Sequence, residues 1–123
     1  MHELPKPAAR ILLVEDEPTI AVTLGDDLLD QGYEVTQVAD GAAAIRLLAE
    51  REFDAVITDL RLPGASGVQV LQAARRARPR TAVLVITAHA GELLADLQRH
   101  GAGAVLDKPF ANGVVLDWLR TAC

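Results

Sequence analysis

Three short runs in this chain, RILLVE (10–15), DAVIT (54–58) and TAVLVIT (81–87), are apolar almost without interruption. They are too short for buried helices, and their content of branched side chains suits extended chain. A strand without polar–apolar alternation has no face to offer water. Such strands belong in parallel sheets covered by helices on both sides. YEVTQVA (33–39) does alternate and predicts a strand nearer an edge, while AVL (104–106) predicts a short fifth strand. Between the runs the period changes. Pro18 suits a first helical turn, Ile20, Leu24 and Leu28 then recur every fourth residue, and Gly32 is a stop signal. Asp40 can cap a helix that turns Ile45 and Leu48 inward. Val68, Leu71 and Ala74 mark a helix ending near Pro79. Leu93, Leu94 and Leu97 mark another over 92–100, closed by Gly101, and Val115 and Leu119 mark a last one over about 111–121. Five strand–helix units predict an α/β fold, a five-stranded parallel sheet doubly wound by helices.

Length and charge narrow the function classes. The 123 residues suit a single domain, with 1–9 as a flexible N-terminal tail and 10–123 as one module without an effector domain. Aromatics make up only 3%, so the core must be built from Ala, Val, Leu and Ile. A net charge of −5 argues against direct nucleic-acid binding, which needs a basic patch. No apolar stretch has the length of a membrane span, and MHELPKPAARILLV lacks a signal-peptide core, so a cytoplasmic location is expected. The single cysteine, Cys123, can form no internal disulfide.

Ligands of open parallel sheets bind outside the carboxyl ends of the strands. At those ends this sequence places Glu15 and Asp16, Asp59, Thr87, and Asp107 with Lys108. Each has a plain alternative. Glu15 and Asp16 could complement a helix dipole, Asp59 could open a turn, Thr87 could be a strand-end hydroxyl, and Lys108 a solvated charge. Together they suggest more, because carboxylates crowded at one pole repel unless a cation compensates. Carboxylate oxygens with no His or Cys suit a hard ion such as Mg²⁺. An ionised carboxylate beside it can attack phosphorus and become an aspartyl-phosphate. The chain also uses ten arginines but only two lysines, Lys6 and Lys108, so a compact ammonium at 108 stands out.

LLVEDEP, VITDLRLPGASG, VITA and DKPF, in this order and spacing, resemble the receiver domain of two-component response regulators over about residues 10–121. The resemblance implies a flavodoxin-like (βα)5 fold with strand order 2-1-3-4-5. It implies that Asp59 accepts a phosphoryl group from a histidine kinase or phosphotransfer protein. Glu15 and Asp16 would hold Mg²⁺ with Asp59 and the backbone carbonyl of Arg61. Thr87 would bond a phosphoryl oxygen and move on activation, Lys108 would pair with the phosphoryl group, and a cis bond would precede Pro109. A downstream protein would bind the face made by the fourth helix, fifth strand and fifth helix, and a homodimer is compatible with the pattern. Such a module is no enzyme beyond its own phosphorylation and dephosphorylation.

The departures are informative. Val105 stands where the family usually has the aromatic ring that moves with the threonine, and the segment between Thr87 and Lys108 is one residue shorter than usual. Arg61 and His89 either flank the approach of a hydrolytic water, setting the phosphoryl lifetime, or are solvated loop residues. The run RRARPR (75–80) is either an anionic docking surface or a solvated helix end. His100 suits a helix C-terminus, and Trp118 suits packing on the last helix. Two other classes fit less well. A phosphohydrolase of aspartyl type places an acid two positions after its nucleophile, where this chain has Arg61. A flavodoxin-like cofactor binder needs a glycine-rich loop after the first strand, and none follows. A phosphorylation-independent scaffold, or a module excised from a transcription factor or hybrid histidine kinase, remain the alternatives within the family.

Overall fold

In the computed structural model, residues 8–123 are described, so the expected tail lies outside the described residues except for Ala8 and Ala9. Strands and helices alternate as β1 (Arg10–Val14), α1 (Pro18–Asp30), β2 (Glu34–Val38), α2 (Gly41–Glu50), β3 (Ala55–Asp59), α3 (Gly67–Ala77), β4 (Ala82–Thr87), α4 (Ala90–Arg99), β5 (Ala104–Asp107) and α5 (Asn112–Ala122). All pairings are parallel and the order is β2-β1-β3-β4-β5, with the alternating strand β2 at an edge. Five parallel strands in the order 2-1-3-4-5 are as the resemblance implied.

Side-chain alternation along the strands splits the core in two. Leu12, Val14, Val56, Val83 and Val85 pack under α2, α3 and α4. Ile11, Leu13, Ala55, Ile57, Leu84 and Ile86 pack under α1 and α5, where Leu24, Leu28, Val115 and Leu119 close the layer. Trp118 is partly buried against this second cluster, as expected.

Several boundaries lie a residue or two from where the sequence pattern put them. β3 begins at Ala55, although Asp54 just before it already meets β1, its N–H donating to the Arg10 carbonyl at 2.8 Å and its carboxylate accepting the Arg10 N–H at 2.7 Å. It ends on Asp59, which is the last strand residue and not the first of a turn. α4 starts at Ala90, two residues earlier than its leucine spacing indicated, and Leu94 is 41% exposed and not inward. Asp40 does cap α2, accepting the Ala43 N–H at 3.0 Å. The Lys108–Pro109 bond is cis.

The loop after β3 is pinned by two close approaches. Gly64 has φ +81 and sits against the Asp40 carboxylate, a left-handed conformation that glycine adopts without steric cost. A Cβ on Gly67 would run into the carbonyl oxygen of Asp59, so only glycine lets α3 begin directly beneath the end of β3.

Of the four arginines in the RRARPR run, Arg75 and Arg78 turn back onto the chain, while Arg76 and Arg80 are exposed. The Arg75 guanidinium turns inward and donates to the carbonyls of Gly101 (2.8 Å from Nε), Pro79 (3.1 Å) and Thr81. Burial pushes its pKa below the usual arginine value. Arg78 pairs with Asp54 at 3.6 Å and reaches the carbonyl of Phe53. Half of the run's arginines are thus committed to the chain's own groups.

Candidate functional site

The carboxyl ends of β1, β3, β4 and β5 meet at one pole, and the buried charged side chains gather there. Glu15 is 3% and Asp59 6% exposed, and Thr87 is buried beside them. Asp59 follows Ala55 and Ile57 in strand alternation, so it belongs to the side of the sheet covered by α1 and α5. Thr87 follows Val83 and Val85 and belongs to the α4 side. The two approach one cleft from opposite faces of the sheet.

Lys108 is the hub. Its Nζ donates to Asp59 Oδ2 at 2.8 Å and to Glu17 Oε1 at 3.0 Å, and lies 3.6 Å from Glu15 Oε2. The other Asp59 oxygen, Oδ1, accepts the Leu60 N–H at 3.1 Å. Partial burial of Lys108 by itself disfavours its charge. The hydrogen bonds to Asp59 and Glu17 outweigh that, and the ammonium is held above its ordinary pKa. Glu15 goes the same way for another reason. Burial pushes its carboxyl up to about 7, helped by the Asp59 charge and opposed by the Glu17 N–H, which donates to Oε1 at 3.0 Å. Its other oxygen, Oε2, is buried and accepts no hydrogen bond. A buried carboxylate oxygen without a donor is costly, and a cation would relieve it.

Among the described residues, Glu15, Glu17 and Asp59 each offer an oxygen within 4.8 Å of the others. Of the residues selected from sequence, Asp59, Thr87 and Lys108 line an open cleft of about 310 Å³ together with Asp16, Arg61 and His89. Asp16 is exposed at the rim, while Glu15 lies buried below it. Glu17 was not selected. Its backbone is still extended (φ −84, ψ 113), so the alternation that orients β1 continues and turns residues 15 and 17 the same way. That continuation of period two was the available signal. Val105 is half-buried in the α4-side layer, paired with Val85. A larger groove of about 510 Å³ near Phe53, Leu48 and Arg78 holds no buried charged side chain, so size does not mark the site.

A doubly wound parallel sheet with buried carboxylates and a lysine at its carboxyl edge defines an α/β module built around a small polar cleft. The chain belongs to the response regulator receiver domain family, whose model matches residues 11–120. It is 40% identical over 109 residues to a response regulator receiver protein of Anaeromyxobacter sp. (strain Fw109-5), covering 88% of this chain and 46% of that protein. The chain spans less than half the length of the first curated relatives it matches. Among solved structures it is similar to the chemotaxis response regulator CheY4 of Vibrio cholerae (TM-score 0.87, 29% identity, 95% of this chain and 100% of that one). It is similar also to the receiver domain of the sensor histidine kinase PA1611 from Pseudomonas aeruginosa PAO1, solved with a magnesium ion in its active site cleft (TM-score 0.83, 30% identity, 94% and 97% covered).

Proposed function

We propose that residues 10–123 form one receiver domain that takes a phosphoryl group onto Asp59 and thereby changes how it binds a partner. The observation that carries this reading is Asp59 itself: a buried carboxylate at the tip of a central strand, 2.8 Å from the Lys108 ammonium and beside two further carboxylates. Held there, an Asp59 oxygen can bond to phosphorus while the bond to a phosphohistidine nitrogen breaks and the electron pair stays on the imidazole. Lys108 would follow the charge from carboxylate to phosphoryl oxygen, and Thr87, on the other side of the cleft, would donate its hydroxyl to a second oxygen.

The donors fit Mg²⁺, since all are oxygens and they include the orphaned Glu15 oxygen. Glu15, Asp16 and Asp59 with the Arg61 carbonyl would hold the ion, with Glu17 in reach. Bound there, it would supply charge neutralisation for the incoming phosphoryl group. Arg61 and His89, both exposed on the cleft wall, are suited to tuning access of a hydrolytic water. Replacing both should change the dephosphorylation rate.

The family supports a histidine kinase or phosphotransfer protein as donor and a protein target on the α4–β5–α5 face, in the cytoplasm, with no catalysis beyond its own phosphorylation and dephosphorylation. Val105 favours one second reading, a receiver-fold scaffold whose partner binding ignores phosphorylation. Intact mass after incubation with Mg²⁺ and acetyl phosphate separates the two. A single Mg²⁺-dependent phosphoryl gain, lost in Asp59→Asn, supports the switch, and no gain with Mg²⁺ still bound supports the scaffold.

A further inference from the structure

The start of α4 is fastened by side chains from two strand ends. His89 stands at its N-cap position but makes no side-chain cap bond. Instead, Thr87 Oγ1 accepts the His89 N–H at 3.1 Å, and Asp107 Oδ1 accepts the Ala90 N–H at 2.9 Å. Thr87 and Asp107 are register partners across β4 and β5, and the Lys108 N–H donates to the Thr87 carbonyl at 3.0 Å. The amides of the cap residue His89 and of Ala90, the first residue of α4, are thus tied to adjacent side chains, one of them the cleft hydroxyl.

We infer that Asp107 is a positioning residue for the phosphoryl site, acting through α4 on Thr87. This rests on the function proposed above. The Asp107 carboxylate holds the first turn of α4 against β5, which keeps the His89 N–H aimed at Thr87 Oγ1. With that lone pair engaged, the hydroxyl hydrogen is left to point elsewhere, and the cleft is where an acceptor oxygen would arrive. Remove the carboxylate and the helix start loses one of its two ties, the His89 amide swings, and the hydroxyl is free to rotate. Thr87 would then meet the phosphoryl group in many orientations, not one. Val105 on the same strand packs in the apolar layer beneath α4, and Asp107 supplies a polar side-chain tie from β5 to the start of that helix.

The test compares the native chain with Asp107→Ala and Asp107→Asn, the amide of which keeps an acceptor oxygen. Amide exchange at Ala90 in the unphosphorylated protein should accelerate about tenfold in D107A and stay near native in D107N, as expected for one lost hydrogen bond. Phosphorylation by acetyl phosphate at saturating Mg²⁺ should slow about five- to tenfold in D107A only, with Mg²⁺ affinity unchanged. Unchanged exchange or unchanged rate in D107A overturns the inference. Equal slowing in both variants overturns it too, because charge and not the hydrogen bond would then matter. If the native chain takes no phosphoryl group, the function proposed above falls and this inference with it. A phosphorylated native chain with an unaffected D107A sinks the inference alone.

Discussion

α3 and α4 follow the two strands that carry Asp59 and Thr87 and are almost equal in length, 11 and 10 residues, yet they are held in opposite ways. α3 brings its own fastenings. Ser66 and Gln69 form a reciprocal capping box, and five of its residues are buried, Val70 and Leu71 completely. α4 has no side-chain cap of its own, buries only Ala90 and Leu97, and is tied by residues of other elements. Asp107 holds its start, and Arg75 of α3 holds the Gly101 carbonyl just past its end. α3 is thus fixed by its own sequence directly against the backbone at the end of β3. α4 depends instead on side chains from the ends of β4 and β5, with Thr87 among them.

The contrast should be plainest in core truncations. Leu71→Ala in α3 should cost about 3 kcal/mol by urea denaturation, since the site is sealed on all sides. The outward Leu94→Ala in α4 should stay within about 0.5 kcal/mol. Similar losses at both positions would erase the distinction.

Glycine substitutions sharpen it next. Gly67→Ala would push a methyl into the backbone beneath Asp59 and should destabilise by roughly 2 kcal/mol. Gly91→Ala meets open space early in α4 and should stabilise by about 0.5 kcal/mol, visible as a raised unfolding midpoint. Ser66→Ala should cost about 1 kcal/mol, because α3 loses its cap bond to the Gln69 N–H.

Glu15 adds a dependence on pH. Its carboxyl is raised from 4.5 to about 7 by burial, so the folded state holds its proton more tightly than the unfolded chain does. The stability this gives is complete below pH 4.5 and is lost as pH rises through 7. Glu15→Gln should therefore be more stable than the native chain at pH 8, with the gap closing toward pH 4.5. Conversely, Mg²⁺ needs the ionised form. Its affinity, followed by calorimetry, should rise with pH by up to about tenfold per unit below 7 and level off above, with proton release on binding. A flat profile would mean Glu15 takes no part.

Much of the site was legible because its residues sit where strand alternation and strand ends must put them. Asp59, Thr87 and Lys108 could be selected from apolar runs that stop in a charge or hydroxyl. Glu17 was missed although its signal, a period of two continuing past β1, was present. Arg75 and Asp107 left no such trace. Arg75 sat in a basic run that suggested solvent, and Asp107 drew notice only as the acid before Lys108. Each bonds a backbone group 26 or 17 residues away, and no local pattern records such a partner.

By itself, the chain's sequence determined the α/β class and the covering of the sheet on both faces, because strands without alternation and helices with one apolar stripe have few ways to bury themselves. It likewise determined which pole would carry the carboxylates. Only the tertiary structure decided how those charges share one ammonium, which Glu15 oxygen goes without a donor, and what holds α4. Those outcomes depend on distances between side chains far apart in sequence, and burial sets their energies only after the sheet has brought them together.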